Sequence, residues 1–202
     1  TEDAMRELNL PVASDWIEVS LQLEKQSLSY LPLEAFCSPL ETLIQLRPLL
    51  GLRSPVNTLS RMLNPLRATA SLQSIFHPAY ARLHLESDRL LGQCRTTVFK
   101  GDSGEVEIKP HADTTVHRLS DGEMDQFLLP RALPDRATSV DAPSVEPLRA
   151  LWQGKSDDPY GLNASLATTA SALMVIRPEL DYQSAQQQAT QLWKNRDLTR
   201  LS

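Results

Sequence analysis

One stretch in the middle of this chain alternates with a period of two, and leucine-spaced helical segments flank it on both sides. Arg95-Thr-Thr-Val-Phe-Lys-Gly101 and Gly104-Glu-Val-Glu-Ile108 read as two strands about Asp102-Ser103-Gly104, a turn-forming sequence. Thr114 to Leu119 alternates in the same way, Asp121-Gly122 marks the next turn, and Met124 to Leu129 reads as a further strand. Strands set between helices call for a sheet covered by helices. Composition agrees. Leucine supplies 34 of 202 residues while aromatics make up only 5%, a balance that suits helices on a sheet better than an all-β sandwich.

The flanking helices follow from caps and spacing. Thr1 to Leu10 reads as a short helix with Thr1 as its cap and Glu2 and Asp3 at its positive end, and Asp15 to about Gln26 as a second. Leu28 to Leu33 reads as a brief strand ended by Pro32. Leu40, Leu43, Ile44 and Leu46 predict a helix over Pro39–Leu50, strained by Pro48 and stopped by Gly51. Ser54-Pro55 opens a helix that ends at Asn64-Pro65, and His77-Pro78 opens one that runs to Gly92. In the latter, Ala79, Leu83, Leu90 and Leu91 are candidates for burial. Residues 130–143, with three prolines, read as a loop. Val145–Trp152, Pro159–Ile176 and Ser184–Arg196 are the closing helices, and the small residues of the second predict a buried one.

Several chemistries are excluded early. His77, His84, His111 and His117 lack metal-site spacing with one another or with the cysteines. No nucleophile elbow, P-loop or G-x-G-x-x-G occurs. Cys37 and Cys94 are too few for a disulfide scaffold and read as reduced, buried small hydrophobes of a cytoplasmic protein. No apolar run is long enough for a membrane helix. The net charge of −5 argues against a wholly basic nucleic-acid binder. Charge is nonetheless segregated. Between Leu40 and Lys100 there are eight basic residues, seven of them arginine, against three acids, so this stretch carries +5 and the remainder −10. Either these are solvated helix faces, or they form a groove for a phosphorylated substrate or a nucleic-acid backbone.

Short motifs in a fixed order carry a resemblance. Leu31-Pro-Leu-Glu-Ala-Phe-Cys-Ser-Pro-Leu-Glu41, Arg47-Pro-Leu-Leu-Gly-Leu-Arg-Ser-Pro-Val-Asn57 and Leu63-Asn-Pro-Leu66 resemble the anthranilate phosphoribosyltransferase group, glycosyl transferase family 3. Arg47, Gly51, Arg53, Asn57, Asn64 and Pro65 occupy matching positions, as do Gly154 and Leu162-Asn-Ala164 nearer the end. Ala35-Phe-Cys-Ser-Pro-Leu-Glu41, His77-Pro-x-Tyr80 and Gly101-x-x-Gly-Glu-Val106 look nearest to the proteobacterial phosphoribosyltransferase-like paralogues, of which at least one binds nucleic acid.

The resemblance implies an α/β fold, a mixed central sheet flanked by helices, as in the large domain of the glycosyl transferase family 3 and nucleoside phosphorylase-like fold. Residues 1–202 would be part of that domain, with the helical N-terminal domain and the glycine-rich diphosphate loop lying before Thr1. It further implies phosphoribosyl diphosphate and an amine acceptor as substrates, Mg2+ as cofactor, and a homodimer when full length. Arg53 and Asn57 would bind substrate, and Glu107 would hold the metal. The family's Asp-Glu pair falls on Val106-Glu107, so one hard oxygen ligand is missing. Cys37-Ser38 stand where the family's anthranilate pocket is histidine-rich. The competing expectation keeps the fold without the chemistry: Arg47, Arg53, Arg61 and Arg67 would contact the phosphates of single-stranded nucleic acid.

Overall fold

A computed structural model describes residues 1–51, 55–101, 105–134 and 144–201. In chain order its elements are α1 (Glu2–Glu7), α2 (Trp16–Gln26), α3 (Leu33–Gln45), α4 (Arg47–Leu50), α5 (Val56–Leu59), β1 (Ala70–Ile75), α6 (Ala81–Leu90), β2 (Arg95–Lys100), β3 (Thr114–Ser120), β4 (Glu123–Leu129), α7 (Glu146–Trp152), α8 (Pro159–Ile176) and α9 (Tyr182–Lys194). Short 3-10 turns cover Ser60–Met62 and Pro78–Tyr80. The chain divides into two compact units, one of Thr1–Ser60, Val140–Asp157 and Asp197–Ser202, the other of Arg61–Ser139 and Asp158–Arg196. Among the described residues no helix is long and apolar enough to cross a membrane.

In the first unit Asp15 caps α2, its carboxylate accepting from the Ile17 and Glu18 amides. Thr1 occupies the cap position of α1 but makes no side-chain bond there, and that helix ends at Glu7 instead of Leu10. The strand expected at Leu28–Leu33 is reduced to one parallel bridge between Val12 and Tyr30, because Leu33 already begins α3. The helix expected to start at Pro39 therefore starts six residues earlier, and it leaves helical geometry at Cys37 (φ −150°, ψ 65°). Pro39 explains the break: it has no N–H for the preceding turn, and its ring crowds the carbonyl one turn back. The helix expected from Ser54 to Asn64 is only four residues of α5 and the 3-10 turn, Ser54 itself lying outside the described residues. Leu8, Val145 and Leu201 form this unit's small core, and the Trp152 indole donates to the Asp197 carbonyl at 2.8 Å.

The second unit holds the sheet, ordered β1-β2-β3-β4. β1 and β2 are parallel, and the other two pairings are antiparallel, so the mixed sheet is as expected. Alternation divides its faces. Ile75, Val98 and Leu119 pack with Ala81 and Leu85 of α6, whereas Phe99, Val116 and Leu129 pack with Ala167 of α8. Helix α8 runs over the span read from the sequence and buries Ala164, Ala167, Ala170, Ser171, Met174 and Val175. Ala185 and Ala189 of α9 meet Ala170 and Met174, small residues letting the two helices approach closely.

Three expectations fail here, and two of the failures have a polar cause. No strand forms over residues 105–108, and residues 102–104 lie outside the described residues. The Ile108 amide donates to Thr168 Oγ1 of α8 at 2.9 Å, so this segment docks on a helix instead of pairing in the sheet. The buried face of α6 is Ala81, His84, Leu85 and Asp88, while Leu83, Leu90 and Leu91 are exposed, the last two by 80% and 77%, as is Ala79. Cys94, expected to be buried, is exposed as well, and Cys37 is half-buried.

Polar groups line that interface in a chain of hydrogen bonds, of which only the far ring nitrogen of His84, Nε2, is left buried without a partner. His84 Nδ1 donates to Gln73 Oε1 (2.7 Å), Gln73 Nε2 donates to Asp88 Oδ2 (2.7 Å), and Thr96 Oγ1 donates to the same oxygen (2.6 Å). The chain of bonds joins α6 to β1 and β2 and accounts for strand β1, Ala-Ser-Leu-Gln-Ser-Ile, which the sequence reading passed over. Burial, with the charge of Arg61 adding to it, holds the His84 ring below the usual histidine range, and burial does the same to His117. Burial pushes the Asp88 carboxyl above its ordinary value, against the hydrogen bonds from Thr96 and Gln73.

These directions set the acid sensitivity. A histidine that resists protonation only when folded removes stability as pH falls below the unfolded value near 6.5, since the unfolded chain then binds more protons. Asp88 acts oppositely, but only towards its own, more acidic range. Urea unfolding is expected to show a lower midpoint at pH 5.5 than at pH 7.5; an unchanged midpoint would contradict the buried, neutral histidines.

Candidate functional site

The parallel pair β1–β2 defines an edge. Ile75 and Lys100, the last residues of the two strands, stand in register, and β3 begins beside them at Thr114. Immediately after β2 the Gly101 amide donates to the Ile75 carbonyl at 3.0 Å. A Cβ at Gly101 would come within 2.3 Å of the Glu105 carbonyl oxygen, so the chain makes this close return only with glycine.

The returning segment carries Glu107. Its Oε1 accepts the Tyr160 hydroxyl at 2.6 Å, a short bond of the charge-assisted kind. His111 stacks against Tyr160, ring centroids 6.0 Å apart and planes 29° from parallel. Tyr160 and Thr168 are both on α8, about two turns apart, so one face of that helix holds the segment at Glu107 and at Ile108. Asp158 caps the helix by accepting from the Gly161 amide at 3.1 Å. Glu107 thus sits by the positive end of α8, where a carboxylate is favoured. Val106 beside it is exposed and offers no oxygen ligand.

Among the described residues no group of three or more His, Cys, Asp or Glu is placed to hold a metal ion. Magnesium bound through proteins takes one or two carboxylates and completes its octahedron with phosphate oxygens and water. Glu107 is the one carboxylate of the expected Asp-Glu pair, and it is bonded to Tyr160, so that position does not hold magnesium on its own.

The arginines read from the sequence are dispersed in role. Arg53 lies outside the described residues, and Arg47 opens α4. Asn57 is half-buried in α5, its carbonyl accepting from Ser60 Oγ at 3.4 Å. In the second unit Arg61 donates through Nη1 to the carbonyl and hydroxyl of Ser74 at 3.1 and 2.8 Å, tying it to β1. Arg67 is exposed in a turn at φ 49°. That turn is made by Asn64, which accepts from the Ala68 amide (2.9 Å) and donates to the Ala68 carbonyl (2.7 Å). Arg82 and Arg89 both face Glu86, at 3.8 and 2.9 Å, and Arg95 bonds the Ile176 carbonyl. Among the described residues, Glu107 is the predicted site residue that bonds a side chain of α8, that of Tyr160. Tyr160, His111 and Thr168 escaped the sequence reading because their partners lie far away in the chain; the Asp158-Pro159 helix start was the only local signal near them.

Sequence comparison agrees with this fold. A family described as "Glycosyl transferase family, a/b domain" matches residues 1–195. The chain belongs to that family. The anthranilate phosphoribosyltransferase of Corynebacterium aurimucosum is 26% identical over 187 residues, covering 89% of this chain and 53% of the relative. That of Alkalilimnicola ehrlichii is 31% identical over 133 residues, covering 60% and 39%. Among solved structures, the Saccharomyces cerevisiae anthranilate phosphoribosyltransferase in complex with 4-fluoroanthranilate superposes with a TM-score of 0.65 at 18% identity, covering 82% of this chain and 51% of the other. A serine-to-alanine variant of the same yeast enzyme with Mg bound gives 0.64 at 18%, covering 80% and 49%. At that identity the likeness shows the fold. The family chain described here spans about half the length of the relatives it matches.

The Tyr160–Glu107 bond can be weighed directly. Tyr160→Phe removes a hydrogen bond to a charged group, which costs about 2 kcal/mol and lowers the melting temperature by roughly 4–8 °C in a chain of this size. Glu107→Gln keeps an acceptor and is expected to cost less. Thermal melts of both variants check the order.

Proposed function

We propose that the protein is a pentosyl transferase of the glycosyl transferase family, using phosphoribosyl diphosphate and an aromatic or heterocyclic amine acceptor. The observation that supports this reading is Glu107, which the sequence resemblance sets at the family's metal position and whose carboxylate accepts the Tyr160 hydroxyl of α8. Magnesium enters the reading as an ion brought in with the diphosphate, Glu107 lending one oxygen. Arg53 would orient the acceptor through its guanidinium, with Asn57 near it in sequence. Anthranilate is disfavoured as the acceptor because Cys37-Ser38 replace the histidine-rich part of the family's pocket. In this reading a glycine-rich cradle of the kind the family resemblance implies holds the departing diphosphate. Turnover requires that cradle, because stabilising the leaving group is what lowers the barrier.

The full-length protein is expected to consume phosphoribosyl diphosphate with at least one member of an amine panel, and Arg53→Ala to raise the acceptor KM with little change in kcat. No turnover across the panel would refute the enzyme reading.

A second reading is favoured by the charge segregation, +5 over Leu40–Lys100, together with the loss of a carboxylate at Val106. In it the protein binds single-stranded nucleic acid through Arg47, Arg53, Arg61 and Arg67. Such binding weakens steeply as salt rises, because bound cations release counterions from the phosphates. Arg67→Glu, at an exposed site, is expected to weaken binding to an oligo-dT probe and flatten the salt slope. Affinity indifferent to ionic strength would remove this reading.

A further inference from the structure

The buried face of α6 is half polar, Ala81 and Leu85 alternating with His84 and Asp88. Ala81 and Leu85 join the apolar cluster of Ile75, Val98 and Leu119, whereas α8 buries six residues on the other side of the sheet. The docking of α6 therefore leans on the hydrogen bonds that His84 and Asp88 make with β1 and β2. An element with so few buried apolar contacts is among the first to open.

Those bonds fix where the protons sit. An ionised Asp88 only accepts, so Thr96 Oγ1 and Gln73 Nε2 both donate to its Oδ2, at 2.6 and 2.7 Å. With its amide nitrogen turned to Asp88, Gln73 presents Oε1 to His84, 2.7 Å from Nδ1. Nδ1 therefore carries the hydrogen of the neutral ring, and Nε2 is the atom left to take a proton. Nε2 is buried without a partner, in a residue that is 0% exposed. A proton there creates a charged N–H that has no acceptor and no contact with solvent. The surrounding charges do not supply the acceptor. Arg61, bonded to Ser74 of β1, repels the proton, and Asp88 is joined to the ring only through Gln73. On this side of the sheet, opposite to Phe99 and Val116, β2 ends in the exposed Lys100 and β3 brings His117, which burial also keeps neutral. His77, ahead of the helix, is exposed and meets the Phe76 and Tyr80 rings, and Glu86 pairs with Arg82 and Arg89.

We propose that α6 is an acid-released latch: a proton taken up at His84 Nε2 frees the helix from β1 and β2 while the α8 side of the sheet stays folded, uncovering the apolar strip of Ile75, Val98 and Leu119. The released helix binds the proton that the docked one refuses, so release grows as pH falls. A ring that titrates near 6.5 once released, and stays neutral while docked, raises the released fraction about tenfold between pH 7.5 and pH 5.5. Asp88, whose carboxyl burial pushes up, favours the docked helix only in its own, more acidic range. The latch depends on neither reading of the protein's function, since Glu107 is tied to α8.

Hydrogen exchange of the full-length protein, followed by mass spectrometry and corrected for the intrinsic pH dependence of exchange, tests the latch. At pH 5.5 the amides of α6 are expected to exchange about tenfold or more faster than those of α8, with protection about tenfold below its pH 7.5 value. Low urea should change the exchange of α6 little, since release of one helix exposes little surface. His84→Gln, which keeps a donor for Gln73 and takes up no proton, should remove the pH step, and His117→Gln should leave it. Because His84 is buried and its variant can fail to fold, the ring nitrogens of isotopically labelled histidine in the unaltered protein give a second measurement. Nδ1 of His84 should carry the hydrogen at pH 7.5. The proposal is overturned if α6 and α8 exchange together, if α6 shows no pH step, or if the step survives His84→Gln or vanishes with His117→Gln. A His84 ring protonated at Nε2 instead of Nδ1 at pH 7.5 overturns it as well.

Discussion

The second unit depends on a line of buried hydrogen bonds that runs His84, Gln73, Asp88, Thr96. A helix packed on a parallel strand pair normally does so through aliphatic side chains, and polar groups buried there must find partners. Here the network fastens α6 simultaneously to β1 and β2 and so sets the register in which Ile75 meets Lys100. Everything chemically interesting follows from that register. It brings two strand ends level and leaves the chain after β2 to find its way back over the edge.

That return is governed by space and then by anchoring. Gly101 permits the backbone to double back where a side chain would strike the Glu105 carbonyl. Tyr160 and Thr168 then capture the segment on α8, so Glu107 is held by a helix and not by a sheet ladder. A carboxylate fixed in this way is oriented before any ligand arrives, which is the physical content of preorganisation.

Much of the architecture was legible. Helix α8 begins at Asp158-Pro159 and stops before Arg177-Pro178, and β2, β3 and β4 announce themselves by alternation and by Asp121-Gly122. Strand β1 was not legible, because Ser71, Gln73 and Ser74 carry no strand signature until their partners on α6 and at Arg61 are in place. The buried face of α6 was misread for the same reason: hydrophobicity nominated Leu83, Leu90 and Leu91, whereas complementarity selected His84 and Asp88. Of the candidate site, Glu107 was named through a resemblance in short motifs, but the tyrosine that bonds it and the histidine stacked on that tyrosine were invisible.

By itself, then, the order of residues determined most of the helices, strands β2 to β4 and the family, whose resemblance implied the mixed sheet, since those rest on local periodicity, caps and motifs that neighbours in the chain decide. Only tertiary structure decided which polar groups are buried, which strand edge is shared and which side chains surround Glu107. Those outcomes depend on pairs such as Glu107 with Tyr160, 53 residues apart, whose bond has meaning only after the packing that brings them together.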